Sequence, residues 1–195
     1  MFTISPCAAG CGRPAITGSN LCFVHQASPE QESRRIVDYI GKNHTIKNLS
    51  VAGMRFQDID FSGHHFFGCN FRGASFSNCV LSDIKARMNF YDFSEFKKCN
   101  FSNSDIQFVS FAGSQFHSCT FEGSELVHVN FEGASINNTS FNNSNLYNSR
   151  FINAELESSP FVNCNLKRAN FISAKQKDIL FKSSNTAEAI FETEE

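Results

Sequence analysis

This sequence predicts an all-β solenoid carrying a small N-terminal appendage, and three observations predict it. From Phe56 to Phe181 every fifth position holds a large apolar side chain, most often Phe, with Ala86 and Gln176 as the exceptions. Two residues before each of these centres the side chain is usually small, as at Cys69, Ala74, Cys79, Ser94, Cys99, Ser104 and Ala134. Two residues after it Gly or Asn is frequent, as at Gly63, Gly68, Gly73, Asn78, Gly113 and Asn138. A period of five belongs neither to an amphipathic helix nor to an ordinary strand. It suits a chain that turns a corner every five residues, where Gly and Asn adopt backbone conformations that other residues avoid. Each pentapeptide then forms one side of a square, with its large and small residues pointing inward.

The bulk properties agree and exclude several functions. The chain has 195 residues, 23 Phe, no Trp and only 4 Pro, a balance that suits a repetitive element more than a mixed globular domain. Its net charge of -2 sets up no global field that would draw nucleic acid or acidic lipid. No apolar run is long enough to span a membrane, and MFTISPCAAGC lacks the basic and apolar regions of a secretion signal. A cytoplasmic protein is therefore expected, with its 8 cysteines as thiols or metal ligands.

The pattern of small residue, Asn or Asp, Phe or Leu, Ser, then Gly or Asn resembles the pentapeptide-repeat family over residues 46–181. That resemblance implies a right-handed quadrilateral β-helix in which four repeats make one coil. Seven coils follow, and at about 4.8 Å per coil the rod is about 34 Å long. From Phe121 to Phe171 the centres alternate Phe with Leu or Ile, which places rings on two opposite faces and aliphatic side chains on the other two. Cys79, Cys99 and Cys119 are spaced by one coil and read as an inward ladder of small residues, although a redox stack has the same spacing. His44 and His64, also one coil apart, admit either shared metal binding or packing at the end of the rod.

Both ends of a solenoid need covering, because an open end exposes rings and strand edges. SPEQESRRIVDYIGKN predicts a capping helix over 28–43, with Ser28 as N-cap, Pro29 in the first turn, Gln31 completing a capping box and Gly41 as the stop. Ile36, Val37 and Ile40 would face the first coil. Residues 1–27 form a separate segment, 44–181 the repeat rod, and 182–195 a C-terminal cap with a short helical turn at Ile190 and Phe191 and an acidic tail.

Cys7 and Cys11, then Cys22 and His25, have the two-pair spacing of a zinc site, and CGRPA followed by LCFVH resembles the short treble-clef-like zinc knuckles of bacterial proteins. Gly12 and Pro14 favour a tight turn whose backbone N–H groups would face the thiolates. Three thiolates and an imidazole would close the shell round a structural Zn2+, leaving no open position for catalysis; disulfides or free thiols are the alternatives. Residues 1–50 carry five basic against three acidic side chains, too thin a surface for direct nucleic-acid binding.

The repeat stumbles once. KARMNFYDF, residues 85–93, loses its large centre at Ala86 yet puts Met88, Phe90 and Phe93 at outward positions, with Phe108 one coil above Met88. Either Met88 or Phe90 folds in beside Ala86, or these residues form a patch that binds a partner protein.

No phosphate loop, nucleophile elbow or paired-carboxylate constellation rises above the repeat, so a non-enzymatic binding scaffold without a small-molecule substrate is expected. The resemblance includes relatives that guard DNA gyrase from quinolones. It implies a type II topoisomerase, DNA gyrase or topoisomerase IV, as a partner bound by mimicry of duplex DNA, and pairing of two copies through the C-terminal segment. Asp105, Glu122, Glu125, Glu132, Glu155 and Glu157 are the acidic residues that such mimicry would use. The alternative is a general interaction scaffold that docks a protein through the aromatic patch or the zinc cap.

Overall fold

The computed structural model describes residues 4–191. It is a four-sided β-solenoid of about seven turns, preceded by one helix and the cysteine-histidine segment. The register advances by 20 residues per coil on every face: Ile46 pairs with Phe66, Phe56 with Phe76, and the bridges Ser50 to Asn70 and Asp60 to Val80 keep the same step. The first face stacks Thr45–Lys47, His65–Phe67, Lys85–Arg87, Asp105–Gln107 and Glu125–Val127 as a parallel sheet. The third face stacks seven such strands, from Arg55–Gln57 to Lys175–Lys177. The second and fourth faces, centred on Val51 and Phe61 in the first coil, are held by single bridges. Their backbone groups are still paired: Phe71 N–H donates to the Phe90 carbonyl at 2.7 Å, and Phe90 N–H to the Cys69 carbonyl at 2.9 Å.

The core lies along the rod axis. Phe111, Phe131, Phe151 and Phe171 stack face to face on one side, while Phe121, Phe141 and Phe161 do so on the opposite side. Leu126, Leu146 and Leu166 fill one remaining side, and Ile136 and Leu156 the other, as the alternation of centres predicts. Each buried ring contributes roughly 1.5–3 kcal/mol through removal from water, and stacking adds about 0.5–1.5 kcal/mol per pair. The small positions have a second task. Ser94 donates its hydroxyl to the Phe71 carbonyl one coil back at 2.8 Å, while its own N–H bonds Ser114 Oγ one coil ahead at 3.2 Å. Serine and cysteine ladders therefore satisfy polar groups that the rings would otherwise strand, and no buried side-chain nitrogen or oxygen among the described residues lacks a partner. Cys79, Cys99 and Cys119 form one such inward ladder of free thiols, in which hydrogen bonding to the next thiol and, after it, burial raise the Cys79 and Cys99 pKa values.

The lid is helix α1, Pro29–Lys42, which seats Ile36 and Ile40 in the core with Val37 packed beside them. Two details of its ends differ from expectation. Ser28 precedes the helix but its side chain makes no capping bond, because at φ -140 and ψ 85 its hydroxyl is not aimed at the first turn; only its carbonyl accepts, from Glu32. The helix also runs through Gly41 and stops at Asn43, whose N–H bonds the Ile40 carbonyl at 3.0 Å.

At the far end the described residues hold no helical turn, and the repeat continues instead. Asn185 and Ile190 extend the bridges, and Phe191 stacks on Phe171 at 5.0 Å. The reason is visible in the spacing, since Phe191 falls on the same five-residue beat as Phe181. The acidic tail beyond it lies outside the described residues.

Candidate functional site: a metal centre beside an aromatic surface

The four expected ligands come together because the N-terminal segment folds on itself and leans on the second face of the rod. Pro6 bridges Pro14, Cys7 N–H bonds the Arg13 carbonyl at 2.9 Å, and Gly10 and Gly12 take the positive φ angles of the turn between them. Phe23–His25 forms a single helical turn that returns His25 to Cys22. Gln26 ties the loop by donating to Ser19 Oγ and the Leu21 carbonyl. Thr17 N–H bonds the Ser50 carbonyl at 2.8 Å, and Ser50 Oγ donates to the Ala15 carbonyl at 3.0 Å, which docks the segment on the first coil.

The ligand atoms of Cys7, Cys11, Cys22 and His25 all lie within 4.8 Å of one another. Cys11 Sγ and Cys22 Sγ are 3.7 Å apart, and His25 Nδ1 is 3.4 Å from Cys7 Sγ and 3.6 Å from Cys22 Sγ. A tetrahedral ion with bonds of about 2.3 Å to sulfur and 2.0 Å to nitrogen has edges of about 3.8 and 3.5 Å, which these three separations match. A disulfide needs about 2.05 Å, and all eight cysteines are free. The backbone N–H of Cys22, then His25, lowers the Cys7 pKa to about 6, which makes it a thiolate at neutral pH, whereas burial raises that of Cys22. An N–H that supports a sulfur is that of Cys22, at 3.2 Å from Cys7 Sγ; no such bond from the turn after Cys11, which the spacing suggests, is found among the described residues. His44 and His64 belong to no group of three or more ligand atoms among the described residues; their rings lie 6.1 Å apart at the lid.

The structure separates the aromatic candidates by environment. Met88, Phe93 and Phe108 are 63%, 76% and 56% exposed. All three sit at corners, with φ of 53°, 58° and 54°, in the left-handed region that Gly and Asn occupy at most other corners. Phe90 is half-buried under the Arg72 guanidinium, 5.1 Å from its ring, and Arg72 in turn pairs with Asp92 at 2.8 Å. Phe108 stacks on His128 at 4.9 Å. Phe93 lies over Gly113 so closely that a Cβ there would meet its ring at 2.7 Å.

Met88 does not fill the space beside Ala86. Asn89, a residue the sequence reading passed over, is the one that turns inward. Fully buried, it accepts from Cys69 N–H at 2.8 Å and donates to the Phe66 carbonyl at 3.0 Å. An amide at a position held mostly by Cys, Ser or Ala was the available signal. Between the cysteine-histidine cluster and this surface lies an open cleft of about 620 Å³ whose walls include Phe23, Val24, Gly53, Gly73 and Phe93. The exposed Val24 was likewise not singled out from sequence.

The six acidic candidates do not share a face. Asp105 and Glu125 stack on the first, Glu132 lies on the second, Glu155 and Glu157 on the third, and Glu122 on the fourth. Four of them are ion-paired: Asp105 with Arg87, Glu132 with Arg150, Glu155 with Lys175 and Glu157 with Lys177. Glu122 and Glu125 are held by Ser140 and Asn145.

Comparison with known proteins places the repeat. The family described as pentapeptide repeats (8 copies) matches residues 51–83 and 93–123, and the pentapeptide repeat region matches residues 114–191. The first match breaks over 84–92, the stretch holding Ala86, Met88 and Phe90. No curated protein matches. Among solved structures, HetL, a pentapeptide repeat protein involved in heterocyst differentiation regulation from the cyanobacterium Nostoc sp. strain PCC 7120, is 10% identical; the match covers 81% of this chain and 93% of that one, with a TM-score of 0.34. Trypsin-treated QnrB1, a plasmid-mediated fluoroquinolone resistance protein, is 21% identical over 73% of this chain and 84% of its own, with a TM-score of 0.30. Rfr23 from the cyanobacterium Cyanothece 51142 is 14% identical over 78% and 97%, with a TM-score of 0.34. With its beat, its 20-residue register and both family matches in agreement, the chain belongs to the pentapeptide-repeat family.

Proposed function

We propose that this chain is a non-enzymatic scaffold that docks a protein partner on the surface formed by Met88, Phe90, Phe93 and Phe108, with the Cys7, Cys11, Cys22 and His25 segment closed round a structural Zn2+ beside it. One observation carries the reading: three large apolar side chains stand exposed at left-handed corners. A left-handed conformation costs a residue with a Cβ about 1–2 kcal/mol relative to the right-handed one, and water contact adds to that. The rod has Asn48 and Asn148 at equivalent corners in the same column, so its geometry does not require Met88 or Phe108. Strain held at an exposed apolar patch is the mark of a binding surface.

The cysteine-histidine set fits a closed tetrahedral zinc site, which would order a segment whose own buried apolar side chains are few. Zinc supplies structure here, and the residues hold it with no open position. A reducing compartment such as the cytoplasm suits eight unpaired thiols, and no described helix is long and apolar enough to cross a membrane. The rod's C-terminal end, where Leu180 and Ile190 are exposed, offers the place for a second copy.

Mimicry of duplex DNA toward a type II topoisomerase has less support in the geometry. A duplex presents about one charge per 1.7 Å of axis, while here the acids are spread over four faces and mostly neutralised by cations. The test uses a photo-crosslinking residue at Phe93 or at Asp178 on another corner, with DNA gyrase as one bait in a supercoiling and quinolone-protection assay. Adducts to a partner protein at position 93 and none at 178 are expected. Inhibition or protection of gyrase that survives Phe93→Ser and Phe108→Ser would favour the acidic surface instead.

A further inference from the structure

A groove that the aromatic corners only touch runs round the N-terminal end of the rod. The 620 Å³ cleft beside Phe93 adjoins a second cavity of about 460 Å³, with Phe23, Val24 and Gly53 common to both walls. That cavity shares Ser33 and Arg55 with a third, of about 250 Å³, between α1 and the strand Arg55–Gln57. Together they make a trough from Phe93, past the cysteine-histidine segment, to the flank of the lid helix. Its apolar lining includes the exposed Val24 and the half-buried Val37 and Ile59.

The charge of this trough is opposite to that of the chain. The whole sequence carries a net charge of -2, yet the three cavities are lined by Arg13, Arg34, Arg55 and Arg72 against only Glu30 and Asp38. Arg72 is already held by Asp92. Arg13, Arg34 and Arg55 are exposed and, like Glu30 and Asp38, make no ion pair among the described residues. Guanidinium forks match carboxylates. The backbone sets the kind of ligand that carries them: Arg55–Gln57 is the outermost strand of the seven-stranded sheet, and its outer edge pairs with no strand among the described residues. An open edge offers N–H and C=O groups that an added peptide strand takes up and a nucleic acid does not.

We propose that this groove binds an extended acidic segment of a partner protein, with carboxylates on Arg13, Arg34 and Arg55 and with apolar side chains in the cleft beside Val24 and Phe93. The segment pairs its backbone with the strand Arg55–Gln57. The proposal rests on the docking reading at Phe93 and names what the partner brings there. The three arginines select for acidic residues, and the apolar lining supplies the burial that exposed ion pairs alone lack.

The probe is a displayed library of random peptides about ten residues long, an extended span of about 33 Å, selected on the full chain. Enriched peptides should combine Asp or Glu with apolar residues. The best of them should bind about tenfold more weakly to Arg55→Glu and to Arg13→Glu, since reversal replaces attraction with repulsion. Lys182→Glu, at the far end of the rod, makes the same change in net charge and should leave binding as it was. In case a variant disturbs folding, amide shifts of the wild type on adding the peptide should move at Ser33, Val37, Arg55 and Gln57. Peptides with no acidic enrichment, binding that Arg55→Glu leaves unchanged or that Lys182→Glu weakens equally, or shifts confined elsewhere would overturn the groove. So would tighter binding of single-stranded oligothymidine at the same residues, or self-association of the chain that Arg55→Glu abolishes, because the occupant would then be a nucleic acid or a second copy. If the peptides fail while a partner still crosslinks at position 93, the groove falls and the corner surface stands. Acidic peptides that bind without any crosslink at position 93 would keep the groove and remove the corners.

Discussion

The rod and the N-terminal segment reach order by opposite routes. In the rod every coil repeats the same inward pattern, and rings such as Phe121, Phe131 and Phe141 are fully buried between Phe rings of the coils on either side. In residues 4–27 the buried apolar side chains are Cys7, Ala15, Ile16 and Cys22, two of which are candidate metal ligands. One region is held by burial distributed over many equivalent positions, whereas the other brings four candidate ligand atoms to one point, where the proposed zinc would hold it. The difference teaches where each is vulnerable: the rod to a hole in its stack, the segment to loss of a ligand.

The largest expected effect tests the rod's half of that contrast. Phe111→Ala removes a ring stacked between Tyr91 and Phe131 at 4.9 and 5.3 Å and should destabilise the whole solenoid by about 3–5 kcal/mol in chemical denaturation. Loss of only the segment, with an intact rod, would break the contrast. Cys22→Ser or chelation should do the reverse, abolishing exchange protection over residues 5–26 while moving the rod's midpoint by less than about 0.5 kcal/mol. An unchanged segment after chelation would remove zinc from the account.

The segment should also depend on pH in a way the rod does not. The Cys7 thiol falls from its ordinary 9.0 to about 6, so in the metal-free chain the stabilisation its thiolate gives is complete above 9.0, declines between 9.0 and about 6, and is lost below that. Zinc affinity should weaken over the same acid range, because the ligands must shed their protons. Titration of zinc release against pH checks this, and release independent of pH between 5 and 8 would contradict it.

The rod was legible because its side chains repeat what its backbone repeats. A five-residue beat fixes the recurring positions without any knowledge of distant partners, and with four repeats to a coil, as the family resemblance implies, the stacks of Phe111 with Phe131 and Phe121 with Phe141 follow. The clustering of Cys7, Cys11, Cys22 and His25 was legible for a related reason, since two close pairs define one point. Helix ends were not. Whether Ser28 caps depends on its own φ and ψ, and Gly41 stays helical because the helix is held by Ile36 and Ile40 in the core rather than by local propensity. Nor could spacing say which way a side chain at a damaged repeat turns. Met88 and Phe90 have similar apolar character, yet one is exposed and the other lies under Arg72, while Asn89 takes the interior.

A smaller effect sharpens the role of the aromatic corners. Gly113→Ala places a Cβ at φ +65°, 2.7 Å from the Phe93 ring, and should cost about 1–2 kcal/mol while displacing that ring. In Phe93→Asn the crowding is relieved, so the added cost of Gly113→Ala should shrink toward the backbone penalty alone, as a double-mutant cycle will show.

The most direct test of the docking surface is the thermal and chemical stability of the triple variant Met88→Asn, Phe93→Asn and Phe108→Asn, measured beside crosslinking to the partner. If those residues are kept for binding at the expense of the fold, the variant should be more stable, by up to about 1 kcal/mol per corner, and should lose the partner. A variant less stable than the wild type that still binds the partner would show that these side chains serve the rod, and would contradict the assignment of this surface.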